Sequence, residues 1–517
     1  MSAAPALFQH RRVILHPQLS RDTSPHRPTT GVACLKLHLS AVVVCVLSWF
    51  FFAPSLSLIF NGCIVGAAYL WLGVTEARRG PLWLTPLSVF FFFYGAEMGP
   101  ATVYMGYGLH ASPWLPFATT MIPAKDLAAG YVISLLGMLA MHAGLEALRP
   151  HQTCSPIPRR ESPFPFVSFG VLLFCAVLSL YRPLSVIPFG MLVIVLQYGG
   201  LAALLPLAFA SSRQLRISPL AHGILFAVGT CGLVAAAAAS QNSSKMEVLL
   251  ALSPLGALIV HTRRFRKWLP LAAAFGFFVY LALVAPAINN SRAIATVRGL
   301  TTWDKVVRSA ETNSILAHGE STWDLLSEQY GNLMMRLFEA PSATGFIVGE
   351  VERSGLQLGE TMRDLEYAFI PRIIWPAKPR VSRGAWFTTY IGMAARPQEA
   401  TSSTGMTAFG EWYWNFGIVG EIAGMFLIGA LLGGLWRFVG TYPLFEPLKM
   451  LLYSALLVDS VMLPEASSVL VTMVALSLLF GGYVFFRRIV DRRAVHLRVT
   501  HQYRSQFSHS EVARHRC

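Results

Sequence analysis

Charge is what this chain has least of. Only 13% of its 517 residues are charged while 54% are hydrophobic, and the mean hydropathy is +0.52. A soluble chain of this length would be expected to form several domains. The scarcity of charge, with apolar runs of membrane-spanning length along most of the sequence, excludes that reading and predicts a polytopic helical membrane protein. Cysteine is also sparse. The seven present include none in the long polar interval and form no CxxC or Cys/His metal spacing, so neither a disulfide framework nor a zinc site is implied. Most of them fall in apolar runs, where cysteine behaves as a small hydrophobe. Nucleotide signatures are missing too: there is no Walker loop, dinucleotide fingerprint, HExxH or nucleophile-elbow serine. The absence argues against nucleotide-driven transport by this chain alone, and no cofactor or metal is expected.

What the chain has in excess is positive charge, with a formal net charge of +15. Lys and Arg concentrate in short connections and tails, so the excess is read as membrane topology and not as nucleic-acid binding. The expected architecture is all-α, with about twelve spans of ~20 residues and one long external loop containing short helices. Residues 1–35 read as a disordered basic cytoplasmic tail. Nine spans then fill 36–287, at about 37–53, 56–75, 82–105, 126–147, 164–181, 188–210, 219–239, 246–262 and 268–287. The loop covers 288–403, three further spans occupy 404–488 (about 409–436, 447–463 and 466–486), and a basic cytoplasmic tail runs over 489–517. With the N-terminus inside, the basic clusters at 78–79, 149–160, 213–216 and 263–267 all fall on the cytoplasmic side. The intervening short loops hold only Lys125, Arg182 and Lys245. That asymmetry sets the orientation.

Within the loop, one stretch stands apart. From Pro371 to Gln398 the cations Arg372, Lys378, Arg380, Arg383 and Arg396 occur with no acid among them. Pro371, Pro376 and Pro379 stiffen the backbone, and Trp375 and Trp386 supply rings suited to a membrane–water interface. A segment of this kind suits a lipid-linked phosphate; equally, it reads as a basic loop against lipid headgroups. The other membrane-proximal end of the loop is basic as well, with Arg292 and Arg298 ahead of the first acid, Asp304. Inside the third span, Glu97 is an intramembrane carboxylate that should face protein or a watery cavity.

The run Ile370-Pro371-Arg372-x-x-Trp375-Pro376-x-Lys378-Pro379, followed by Gly405 and Gly410-Glu411-x-Tyr413-x-Asn415-Phe416-Gly417, resembles the O-antigen polysaccharide polymerase (Wzy-type) family. The motif-bearing part is about 370–420. Ser244-Lys245 and Asn290-x-Arg292 carry a weaker likeness back toward 240, and the first two hundred or so residues match only as hydrophobic helices. The resemblance implies an enzyme of the bacterial inner membrane, with both termini cytoplasmic. It would join oligosaccharide repeat units carried on undecaprenyl pyrophosphate at the periplasmic face, for O-antigen, capsule or exopolysaccharide. Membrane lipid and a polysaccharide chain-length regulator are the implied partners. Nucleotide sugars are not needed.

A donor that leaves as a diphosphate must have its developing charge stabilised, which fixed Arg and Lys groups do. Arg offers a planar fork of donors and Lys a point charge. Arg372, Arg292, Lys245 and Lys378 are the leading candidates for the diphosphate, followed by Arg380, Arg383 and Arg298. A general base for the acceptor hydroxyl would be Glu411, with Glu97 behind it and Asp459 or Glu465 as further carboxylates at the outer face. Against that, Glu411 also reads as a charge favourable to a helix N-terminus, and Glu97 as a hydrogen bond between helices. Trp412, Tyr413 and Trp414 read as an interfacial belt in preference to a sugar platform. The competing functional classes are an O-antigen ligase-like transferase, a secondary transporter or flippase for polysaccharide or lipid, and a structural component of an export complex.

Overall fold

The computed structural model describes residues 29–79, 85–111, 114–117, 120–149, 339–368, 374–377, 383–392, 405–439 and 447–460. It also describes parts of 327–338 and 463–489 and residues 370, 395 and 396, with the backbone alone at 109–111, 114–117, 120 and 121. The described chain is mostly helical. Four of its helices are long and apolar enough to cross a membrane: Gly31–Phe51, Pro54–Ala77, Ala124–Ala147 and Ala408–Val439. The expected spans five to nine, over 164–287, lie outside the described residues.

Helix α1 covers Thr29–Phe51 and α2 Pro54–Arg79. α1 starts ahead of the apolar run, because its first turns already have partners: Cys34 is buried and Gly31 sits against the Glu146 carboxylate. The third expected span is built from α3 (Pro86–Ala96), a π-helical turn (Glu97–Ala101) and α4 (Thr102–Ala111). α3 opens on a capping box in which the Thr85 and Ser88 side chains and backbones satisfy each other, with Pro86 in the first turn. The π turn contains Pro100, which has no N–H to donate. Beside it, the Met98 carbonyl accepts a hydrogen bond from Tyr131 Oη at 2.8 Å.

The connection between the third and fourth expected spans is a β-hairpin, the one departure from all-α structure among the described residues. Strand β1 (Trp114–Phe117) pairs antiparallel with β2 (Thr120–Pro123), Phe117 opposite Thr120. It feeds α5 (Ala124–Ala147), the central helix, which is 83% buried over its apolar window. α5 packs against α6 (Glu339–Ser354) and α9 (Ala408–Val439). Between these two lie a short turn, α7 (Leu365–Ala368), and α8 (Arg383–Tyr390). Helices α10 (Pro447–Asp459) and α11 (Ala466–Gly482) follow.

Glycines let these backbones meet. Gly130, Gly137 and Gly144 repeat every seven residues along α5 and lie, in turn, against Gly345 of α6, Glu421 of α9, and the α9 backbone at Phe426 and Ala430. A methyl at Gly130 or Gly144 would overlap backbone atoms of the facing helix. Without a hydrophobic drive between helices in lipid, such close small-residue contacts supply the packing energy. Gly429 and Gly433 are the matching small residues on α9, set against the Met141 and Leu145 carbonyls. The same device joins α2 to the π turn, where Gly66 faces Gly99. On their outer faces α1, α2 and α9 expose Leu47, Phe50, Phe51, Leu70, Trp71 and Val419, an apolar surface suited to lipid.

At the end of α5 remote from the hairpin a polar network is sealed into the bundle. His38 is hydrogen-bonded to His142 (Nδ1 to Nδ1, 3.0 Å) and to Tyr69 Oη (2.7 Å). Next to it Arg149 bridges Glu76 at 2.7 Å and Glu146 at 2.6 Å, and stacks over Trp436.

Candidate functional site

The π turn in the third span aims Glu97 at another helix. Its Oε1 accepts the backbone N–H of Ala340 at 2.9 Å, in the first turn of α6, and the residue is buried. A carboxylate at a helix N-terminus satisfies an orphan donor and complements the dipole. Glu411 does the same for α11. Its Oε2 accepts the Ser467 N–H at 3.0 Å and its Oε1 the Thr361 hydroxyl at 3.0 Å, and it is fully buried. Both carboxylates proposed as bases therefore bind the start of a helix remote in sequence.

Glu411 also belongs to a larger junction. α9 breaks at Gly417, whose φ of 67° and ψ of −164° leave the helical region. The break is covered by residues 357–361: Gln357 N–H donates to the Trp414 carbonyl at 2.9 Å and Leu358 N–H to that of Asn415 at 3.2 Å. Asn415 locks the contact. Its Oδ1 accepts Gly359 N–H at 2.8 Å, while its Nδ2 donates to Thr361 Oγ1 at 2.6 Å and to the Glu411 carbonyl at 2.7 Å. Gly359, at φ 98°, makes the required turn. Glu411, Asn415 and Gly417 thus clamp the chain less than a dozen residues ahead of the basic stretch.

Of that stretch the structure describes residues 374–377, where Trp375 is half-exposed and its ring lies 5.9 Å from Tyr367. Arg383 is the first residue of α8, and only its backbone is described. Arg372, Lys378, Arg380, Arg292, Arg298 and Lys245 lie outside the described residues. Trp414, expected at an interface, is buried among Trp386, Phe387 and Tyr390; Trp412 and Tyr413 are half-buried. Asp459 is buried at the end of α10, and Glu465 accepts the Ser468 hydroxyl at 3.1 Å. Among the described residues no group of His, Cys, Asp and Glu side chains is arranged to hold a metal ion.

Beside the hairpin, between α5, α6 and α8, opens a cavity of about 340 Å³ lined by Pro123, Asp126, Phe346, Glu350, Arg353 and Tyr390. Glu350 accepts the hydroxyls of Tyr390 and Ser354, each at 2.8 Å, and pairs with Arg353 at 2.9 Å. Partial burial alone would raise its pKa. The two hydroxyls and the guanidinium outweigh that and hold it below the usual carboxylate range. Burial, then the bond to Glu350, pushes the Tyr390 phenol up to about 12. These carboxylates were not singled out from the sequence. Glu350 is one of many charges in a mixed loop, and Asp126 follows Lys125 at a span boundary, where charge is ordinary. Glu421 was a readable signal that was passed over: an acid in the middle of an apolar run, fully buried against Gly137.

Comparison with family models, with curated proteins and with solved structures finds no match to this chain. The class defined by the fold is therefore stated in structural terms: a mostly helical chain, four of whose described helices could cross a membrane, with a broken helix and an open polar cavity beside a short hairpin.

Proposed function

We propose that this chain polymerises oligosaccharide repeat units carried on undecaprenyl pyrophosphate, at the periplasmic face of a bacterial inner membrane. In this reading about twelve helices of ~20 residues span the bilayer, both termini are cytoplasmic, and 288–403 is external. The observation that carries it is the junction at Gly417. Residues 357–361 are tied to the second half of the motif at 411–415, so the chain that runs on toward the first half at 370–379 starts from a fixed point on α9. Preorganised cations are what stabilise a departing diphosphate, and an anchor at 357–361 would shorten the free length of chain to be ordered before Arg372 and Lys378.

In the reaction the anomeric carbon of the growing chain loses its bond to the diphosphate and gains one to a hydroxyl of the incoming unit, whose proton is taken up by a base. Arg372 leads the diphosphate contacts, with Arg292, Lys245 and Lys378 beside it and Arg380, Arg383 and Arg298 at the edge. Glu97 and Glu411 enter as positioning residues, since each is occupied by backbone donors of another helix. A chain-length regulator is the expected protein partner.

Secondary transport is the second reading, favoured by the break in α9 and the buried Glu421 four residues beyond it. Purified protein in detergent micelles separates the two, because transport needs two compartments and polymerisation does not. Elongation of lipid-linked repeat units there is the expected result; its absence under conditions where the substrate binds would remove the polymerase reading.

A further inference from the structure

We propose that the cavity between β2, α5, α6 and α8 is a saccharide subsite, holding the uncharged sugar end of a lipid-linked unit away from its diphosphate. The inference rests on the polymerase reading for the identity of the ligand, but the site is argued from its own chemistry. Its volume of about 340 Å³ falls at the small end of ligand pockets, which run from about 300 to 1,000 Å³.

The lining mixes two kinds of surface that a sugar needs. Phe346 and Pro123 supply apolar faces for C–H groups, while Asp126, Glu350, Arg353 and Tyr390 present acceptors and donors for hydroxyls. The polar groups are held in place before any ligand arrives. Glu350 is fixed by Tyr390, Ser354 and Arg353, and the Arg353 Nε–H is anchored on the Gly349 carbonyl at 3.1 Å. Asp126 is mostly buried and lies over Gly349, where a methyl would come within 2.9 Å of its Oδ2. Gly345 and Gly349 on the cavity wall let α6 approach Asp126 and the α5 backbone closely.

Charge decides against the diphosphate as occupant. Two carboxylates line the cavity with one guanidinium, which already pairs with Glu350; just outside it Lys125 pairs with Asp126 at 3.6 Å and with Glu352 at 3.0 Å, leaving three acids to two cations. An anion would be repelled there, whereas neutral hydroxyls gain charge-assisted hydrogen bonds. The arrangement gives the molecule two unlike subsites: a basic loop for the phosphate end and an acid-rich cavity for the sugar end.

The test uses the full chain in micelles and, as probe, the free oligosaccharide released by mild acid from the lipid-linked repeat unit of the source cells. Saturable binding by equilibrium dialysis is expected for the wild type. Glu350→Gln, which keeps acceptors for Tyr390 and Ser354, and Asp126→Asn should each weaken it by about tenfold or more, the worth of a hydrogen bond to a charged group. Tyr390→Phe should weaken it less, and Arg363→Ala, on an exposed turn, should leave it unchanged. Pyrophosphate as competitor should not displace the probe. No binding by the wild type, equal binding by Glu350→Gln and Asp126→Asn, or displacement by pyrophosphate would each overturn the proposal. Elongation measured in the same preparations keeps the two claims apart. Elongation without probe binding would overturn the subsite and leave the polymerase standing, and probe binding without elongation would do the reverse.

Discussion

The two ends of the central helix α5 hold similar side chains in opposite circumstances. At one end His38, Tyr69, His142, Glu146, Arg149 and Glu76 are closed into one another, with Glu76 fully buried and Arg149 covered by Trp436. At the other, Asp126, Glu350, Arg353 and Tyr390 edge an open cavity. A carboxylate–guanidinium pair is present in both places. What distinguishes them is space: the first network has only protein to bond to, while the second has hydrogen-bonding capacity turned toward a void large enough for a ligand. Buried charge in a helical bundle therefore does not by itself mark a site.

The comparison can be broken at several points. The largest effect should come from the seam that holds both ends in place. Gly144→Leu would drive a side chain into the α9 backbone at Phe426 and Ala430, and folded protein should be lost, as seen in detergent-solubilised yield and size-exclusion profile. Next is the closed end. Glu76→Ala removes the buried partner of Arg149 and should cost about 3–5 kcal/mol, the usual penalty for half a buried ion pair. Thermal unfolding in detergent would show it, and an unchanged midpoint would mean that Glu146 alone suffices for Arg149.

Smaller effects are expected at the open end and its anchor. Asn415→Ala removes the acceptor for Gly359 and the donor to Thr361, and should cost about 1–3 kcal/mol. The consequence would be faster proteolysis over 355–390 while the helices stay intact. The smallest effect concerns pH. Because Glu350 titrates below its unfolded value, the stability it contributes is fully present above the ordinary carboxylate range and is lost as pH falls through the lower folded value. Glu350→Gln should flatten that acid limb of the unfolding curve by about 1 kcal/mol or less, and an unaltered limb would show that the tie to Tyr390 adds nothing.

How much of this could be read in the sequence depends on which interaction makes the feature. Hydropathy and turn residues placed the helices well, since burial of apolar runs is local in sequence: the spans expected at 56–75, 126–147 and 409–436 correspond to α2, α5 and α9. The motif Gly410 to Gly417 was visible as a pattern, and Gly417 does adopt a backbone that favours glycine. Its partners at 357–361 were not visible, because backbone-to-backbone bonds leave no mark on residue type. The π turn of Glu97 and its contact with Ala340 span 243 positions and depend on tertiary packing. The hairpin after α4 is hidden for a different reason: Pro116 argues against a strand, yet it sits in a two-stranded ribbon, where one strand edge needs no N–H. The cavity was beyond sequence reasoning, since Asp126 and Glu350 come together only when α6 packs on α5.

The central claim, that the basic stretch after the junction holds the departing diphosphate, is tested most directly by Arg372→Ala in cells that make the polymer. The measurement is the glycan length profile resolved on a gel, with protein level matched to the wild type. Long chains should vanish while lipid acceptor capped with a single repeat unit persists. A normal ladder of long chains in that variant would contradict it.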